Sequence, residues 1–194
     1  MNWISQLFER IDDKKLMSIG LVSLLLGSLL AIATDVRFIG IMDLSTPQNI
    51  APIQPFLDNI FNTALLALML FVLGKIINPK TRFIDILNTA FICRIPFYFL
   101  SLLNINQLTR NTTAILEQNI GNPELFSASL QEPRLLLLLL LFAVAGILAI
   151  IAFAYLLYQG FKTATNLKKT GHIVSLIATV LVAEIISKFF VYLY

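Results

Sequence analysis

The chain has 194 residues, of which 58% are hydrophobic and 13% charged, with a mean hydropathy of +0.84. Soluble domains carry about a quarter charged residues and cannot hide this much apolar surface. The net charge of +3 sits in short basic clusters between apolar runs, which is a topology signal and gives no reason to invoke nucleic acid.

At the start, Trp3, Ile4, Leu7, Phe8 and Ile11 fall at helical spacing among polar residues, which predicts an amphipathic interfacial helix over 2–13. A polar tail is the plain alternative. Glu9, Asp12 and Asp13 precede the first apolar run, which is not the pattern of a signal peptide. The first predicted span covers about 16–34. Gly20, Ser23, Gly27 and Ala31 share one of its faces, where small side chains allow close helix approach. That face could serve a dimer as easily as a monomer. Pro47, Pro52 and Pro55 make 35–55 a loop.

The second span, about 56–77, opens with Asp58, Asn59, Asn62 and Thr63, polar residues that should face the bundle or the headgroups. Asn78-Pro79 ends it among Lys75, Lys80 and Arg82. The third span, about 83–104, carries Arg94 and Pro96 near its middle. Pro96 has no N–H for the carbonyl of Ile92, so a kink is expected there. Residues 105–134 form a polar outer loop, in which Leu108, Ile115, Leu116 and Ile120 suggest an amphipathic helix stopped by Gly121-Asn122-Pro123.

The fourth span, about 135–161, is uncharged for longer than the ~30 Å hydrocarbon core requires and should tilt or project. The fifth, about 173–194, carries Glu184 and Lys188 one turn apart. The expected architecture is all-α: a cytoplasmic segment 1–15 followed by a five-helix transmembrane bundle, 16–194. With the N-terminus inside, the inner segments hold nine basic residues (Arg10, Lys14, Lys15, Lys75, Lys80, Arg82, Lys162, Lys168 and Lys169). The outer ones hold three: Arg37, Arg110 and Arg134. This bias places the C-terminus outside.

Arg94 lies twelve residues beyond Arg82, and Glu184 twelve beyond His172, which sets both ~18 Å from the inner edge on parallel helices. Equal depth and opposite sign predict an Arg94–Glu184 ion pair, with Lys188 joining Glu184, reaching the outer surface or meeting Asp58. Such a pair is either a structural pin or part of a proton or ion relay. The structural reading is preferred, because arginine does not release its proton. Cys93, the one cysteine, reads as a small core residue and excludes an internal disulfide. No metal-ligand spacing is present, and no cofactor is expected. Asn111-Thr112-Thr113 fits a glycosylation sequon.

From about residue 56 onward the chain resembles the Yip domain family of multi-pass proteins, named for interaction with Ypt/Rab GTPases. The likeness rests on the five close-set spans and on the turn Lys80-Thr81-Arg82-Phe83 leading into a span with Ile95-Pro96. It rests also on the stretch from Tyr158 to Leu167 (YQGFKTATNL) before the last helix. The Asp-Leu-Tyr-Gly-Pro motif of eukaryotic members has only an echo here, Asp43-Leu44-Ser45-Thr46-Pro47, placed after the first span. GTPase binding is therefore not implied, and the compact form is similar to bacterial members, which implies a bacterial cytoplasmic membrane as the location. The resemblance implies a non-enzymatic membrane protein acting through contacts with lipid and with a membrane or cytoplasmic protein, as a membrane-organising or trafficking-type scaffold. Its contact surface would be Lys80, Arg82, Lys162, Lys168 and Lys169. The alternative is a small transporter or channel using Arg94, Glu184 and Lys188 beside Asp58 and Asn62.

Overall fold

The structure is a computed structural model that describes residues 8, 11–191 and 193. Most of the expected helix over 2–13 lies outside the described residues. Helix α1 runs Asp13–Ala33, α2 Gln54–Ile77, α3 Phe83–Cys93 and α4 Ile95–Leu100. A 3-10 stretch, Ser101–Gln107, leads into α5, Leu108–Asn119, and α6, Pro123–Gln131. The long α7, Pro133–Thr165, and α8, Thr170–Val191, complete the chain. Among the described residues, α1, α2, the 83–119 stretch, α7 and α8 are each long and apolar enough to cross a membrane.

Close approach, rather than apolarity, decides how these helices pack, because lipid is as apolar as leucine. On α1, Gly20 faces Phe91 and Gly27 faces the Tyr98 ring; a Cβ at Gly20 would stand 2.5 Å from the Phe91 Cβ. The small-residue face of the first span is thus occupied within the chain. At the other side of α3, a Cβ on Gly160 of α7 would come within 2.6 Å of the Thr89 hydroxyl. Helix α3 accordingly packs on α1, α2 and α7, whereas α8 packs on α2. Leu66, Leu70, Ile86, Ala90, Phe97, Phe153 and Phe161 fill the shared core, with the Phe97 and Phe153 rings 5.5 Å apart.

The third span is interrupted at Arg94, two residues before Pro96. The Phe97 N–H bonds back to the Arg94 carbonyl at 3.0 Å, a tighter turn than α-helix makes. Beyond it, the expected amphipathic helix stopped by Gly121-Asn122-Pro123 is α5, and a second helix, α6, follows within the stretch read as a polar loop. The first ends at Asn119, and Asn122 caps the second, its Oδ1 accepting from the N–H groups of Glu124 and Leu125 at 3.1 and 3.3 Å. Pro123 then occupies the first helical position, where a missing N–H costs nothing. Helix α7, 33 residues long, would extend ~50 Å, and it is the least buried of the five spans. It ends at Asn166 with a left-handed φ of 54°.

The connection from α1 to α2 differs most from its expected form. Instead of lying outside the bundle, residues 36–45 turn into it as a re-entrant hairpin. Arg37 and Ser45 exchange backbone hydrogen bonds at 2.8 and 2.9 Å, and Val36, Phe38 and Ile41 are each 1% exposed. Ile41 belongs to the same apolar cluster as Phe153, Val180 and Ala183. The backbone of the hairpin tip meets Glu184, seven residues before the end of α8, so it lies ~10 Å inside that end of the helix.

Candidate functional site

Non-helical backbone at membrane depth persists only where protein groups satisfy its N–H and C=O groups. Here those groups come from the polar residues of α2 and α8. The Asn62 amide donates to the carbonyls of Phe38 and Gly40, at 2.8 and 3.0 Å. Its own Oδ1 accepts from the Ser187 hydroxyl of α8. Glu184 Oε2 accepts from the Met42 N–H at 2.9 Å. Gly40 lies directly against that carboxylate, where a side chain would collide with it.

Charge pairs close the hairpin's stem. Asp58, fully buried, takes Arg37 in a two-pronged bridge, Nε to Oδ2 at 3.0 Å and Nη2 to Oδ1 at 2.8 Å. Two parallel bonds of this kind combine charge with fixed geometry. Lys188 bridges Asp43 at 2.6 Å and lies 3.7 Å from Glu184. Arg37, counted above among the outer basic residues, is therefore committed to the bundle. Lys188 meets Asp43 and Glu184, while Asp58 goes to Arg37.

Arg94 is not paired with Glu184, which corrects the expectation from depth. Its Nη1 donates to the Asn59 carbonyl at 3.2 Å and to Thr63 Oγ1 at 3.1 Å, and its Nη2 to Asn59 Oδ1 at 3.1 Å. The Phe38 and Tyr98 rings each lie 6.0 Å from the guanidinium, at the outer reach of a cation–π contact. The charge is fully buried among neutral groups, and Nε has no hydrogen-bond partner. The reason is rotational. Helix α2 presents Asn59 and Thr63 toward α3, and Asp58 and Asn62 toward the hairpin and α8. Glu184, on α8, faces the hairpin across α2. Asn59 also donates to Ser28 of α1 at 2.9 Å, which links three helices through one side chain.

At the opposite, basic end, Lys80, Arg82, Lys162, Lys168 and Lys169 are exposed. Arg82 ties the start of α1 to the first turn of α3, bridging Asp13 at 2.9 Å and Asp85 at 2.6 Å. These bonds hold its pKa above the ordinary arginine value.

Sequence reasoning turned Asn59 toward the bundle or the headgroups without naming its partner, and it gave Arg37, Asp43 and Ser187 no place in the site. Hydropathy carries no trace of a hairpin folded inward, although the buried pattern Val36, Phe38 and Ile41 is apolar for a surface loop.

A helix bundle with five apolar spans, an inserted loop and a polar core defines a polytopic α-helical membrane protein. The model of the Yip1 domain family matches residues 5–190, nearly the whole chain, and the chain belongs to that family. No curated protein and no solved structure matches it.

Proposed function

We propose that this Yip1-domain protein is a non-catalytic membrane protein that acts through contacts with lipid and with another protein, in membrane organisation or trafficking. The observation that carries the reading is the commitment of the intramembrane polar groups. Asp58, Asn62, Glu184 and Lys188 are all engaged in holding residues 37–43 of the hairpin, and Arg94 in joining α2 to α4. A relay would need such groups to exchange partners, whereas a scaffold needs them to keep them. The exposed basic residues Lys80, Arg82, Lys162, Lys168 and Lys169 are the proposed contact surface, facing the cytoplasm by the positive-inside rule. A partner at the outer surface would sit on α5 and α6 instead.

A second reading, transport, draws on one observation: among the described residues, Arg94 is a buried cation with no carboxylate bridged to it and an unpartnered Nε. The two separate in proteoliposomes and in cells. For the contact reading, cysteines at Lys80 and Lys168 form a discrete cross-linked adduct that a cysteine at Ile120 does not. Ion or solute flux that Arg94→Leu abolishes without lowering folded yield would overturn it.

A further inference from the structure

Helix α7 packs on α3 and α8 on α2, which leaves an apolar groove between α7 and α8 that opens sideways. Its walls include Phe153, Leu157 and Tyr158 on one side and Ile177 and Val180 on the other, and Met42 of the hairpin forms the floor. The lining runs from Tyr158 to Ile150 and from Ile173 to Leu181, eight helical steps along each wall, or ~12 Å. Its volume is about 310 Å³. A flexible alkyl chain can follow a cleft of this length and apolar lining.

The mouth of the groove is basic. Lys162 lies one turn beyond Tyr158, its Nζ 5.7 Å from that ring, and Lys168 and Lys169 stand exposed one turn before Ile173. His172, next in the chain to Ile173 of the lining, has a buried Nδ1 with no hydrogen-bond partner among the described residues. We propose that this groove is a binding site for one acyl chain of an anionic phospholipid whose phosphate rests on Lys162, Lys168 and Lys169. The charge of the mouth selects the headgroup, and the apolar walls hold the tail. The proposal deepens the lipid half of the reading above and rests on it. Cross-linking of a protein partner at Lys80 is independent of the groove, so the two fail separately.

The test uses the full chain in nanodiscs of phosphatidylglycerol and phosphatidylcholine, with a trace of either lipid carrying a photoactivatable diazirine in its acyl chain. The phosphatidylglycerol probe should label Phe153, Leu157, Ile177 and Val180 above the general lipid-facing surface, and the phosphatidylcholine probe should not. Replacing Lys162, Lys168 and Lys169 by glutamine should lower that labelling about fivefold for each lysine removed. Ala154 lines the groove but is exposed, so Ala154→Trp should fill it and abolish groove labelling while leaving the fold intact. Equal labelling by both lipids would overturn the proposal. So would labelling spread evenly over Leu140, Leu148 and Ile185, or chain-to-chain cross-links through a cysteine at Ile177.

Discussion

Asn59 meets Arg94 twice, accepting Nη1 on its backbone carbonyl at 3.2 Å and Nη2 on its side-chain oxygen at 3.1 Å. One residue thus takes both arms of a guanidinium that no carboxylate neutralises. Hydrogen bonds to a charged group contribute about 1.5–3 kcal/mol, and leaving a buried donor unpaired costs at least as much. Asn59→Leu should therefore destabilise the bundle by about 2–3 kcal/mol in reversible detergent unfolding. Arg94→Leu combined with Asn59→Leu should cost much less than the sum of the two. Arg94→Leu combined with Glu184→Leu should be additive within ~0.5 kcal/mol, since they share no partner. A strong Arg94–Glu184 coupling would show that the packing of α3 against α2 is wrong.

The Arg37–Asp58 bridge predicts the opposite kind of pair. Asp58 is fully buried, and the Arg37 side chain is 12% exposed. Asp58→Leu or Arg37→Leu alone removes one side of this bridge and leaves the other charge without it, at a cost of ~3–5 kcal/mol. The double replacement should recover most of that loss in folded yield.

The hairpin itself can be reached chemically. In the native protein a cysteine at Ile41 should resist a membrane-impermeant maleimide, because that position is 1% exposed inside the bundle. Asn62→Leu removes the donor to the carbonyls of Phe38 and Gly40. That change should make the Ile41 cysteine reactive. Equal reactivity with and without Asn62 would mean that the loop is not held in the bundle.

Gly27 offers a test of helix approach. The Tyr98 ring lies where its Cβ would be, so Gly27→Val must push α1 away from α4. Overpacking of this kind costs about 1–3 kcal/mol and should appear as a lower melting temperature in detergent. The same change at Gly146, where a Cβ would meet nothing within 4 Å, should leave stability almost untouched.

Orientation is tested by labelling whole cells. A cysteine in the 105–132 region should react with an impermeant reagent from outside, and one at Lys168 only after permeabilisation. The reverse pattern would invert the proposed topology, though not the helix packing.

The sequence by itself determined the membrane class and the five spans, because hydropathy is a one-dimensional property and a bilayer reads it in one dimension. It also marked the third span as unable to run as one regular helix, since Pro96 lacks its N–H wherever it packs. Counting residues at a fixed rise set an expected depth for Arg94 and Glu184 and suggested a pair that the structure does not contain. Only the tertiary structure decided which way each polar residue faces across its helix. Asp58 and Asn59 are adjacent in the chain, yet one meets Arg37 and the other Arg94. The α8 stripe of Ser187 and Glu184 is likewise turned toward a loop that hydropathy leaves outside. The hairpin's burial depends on partners far along the chain, Met42 with Glu184 and Asn62 with Ser187. Local propensity is blind to such pairings, because their free energy arises only after five helices have met.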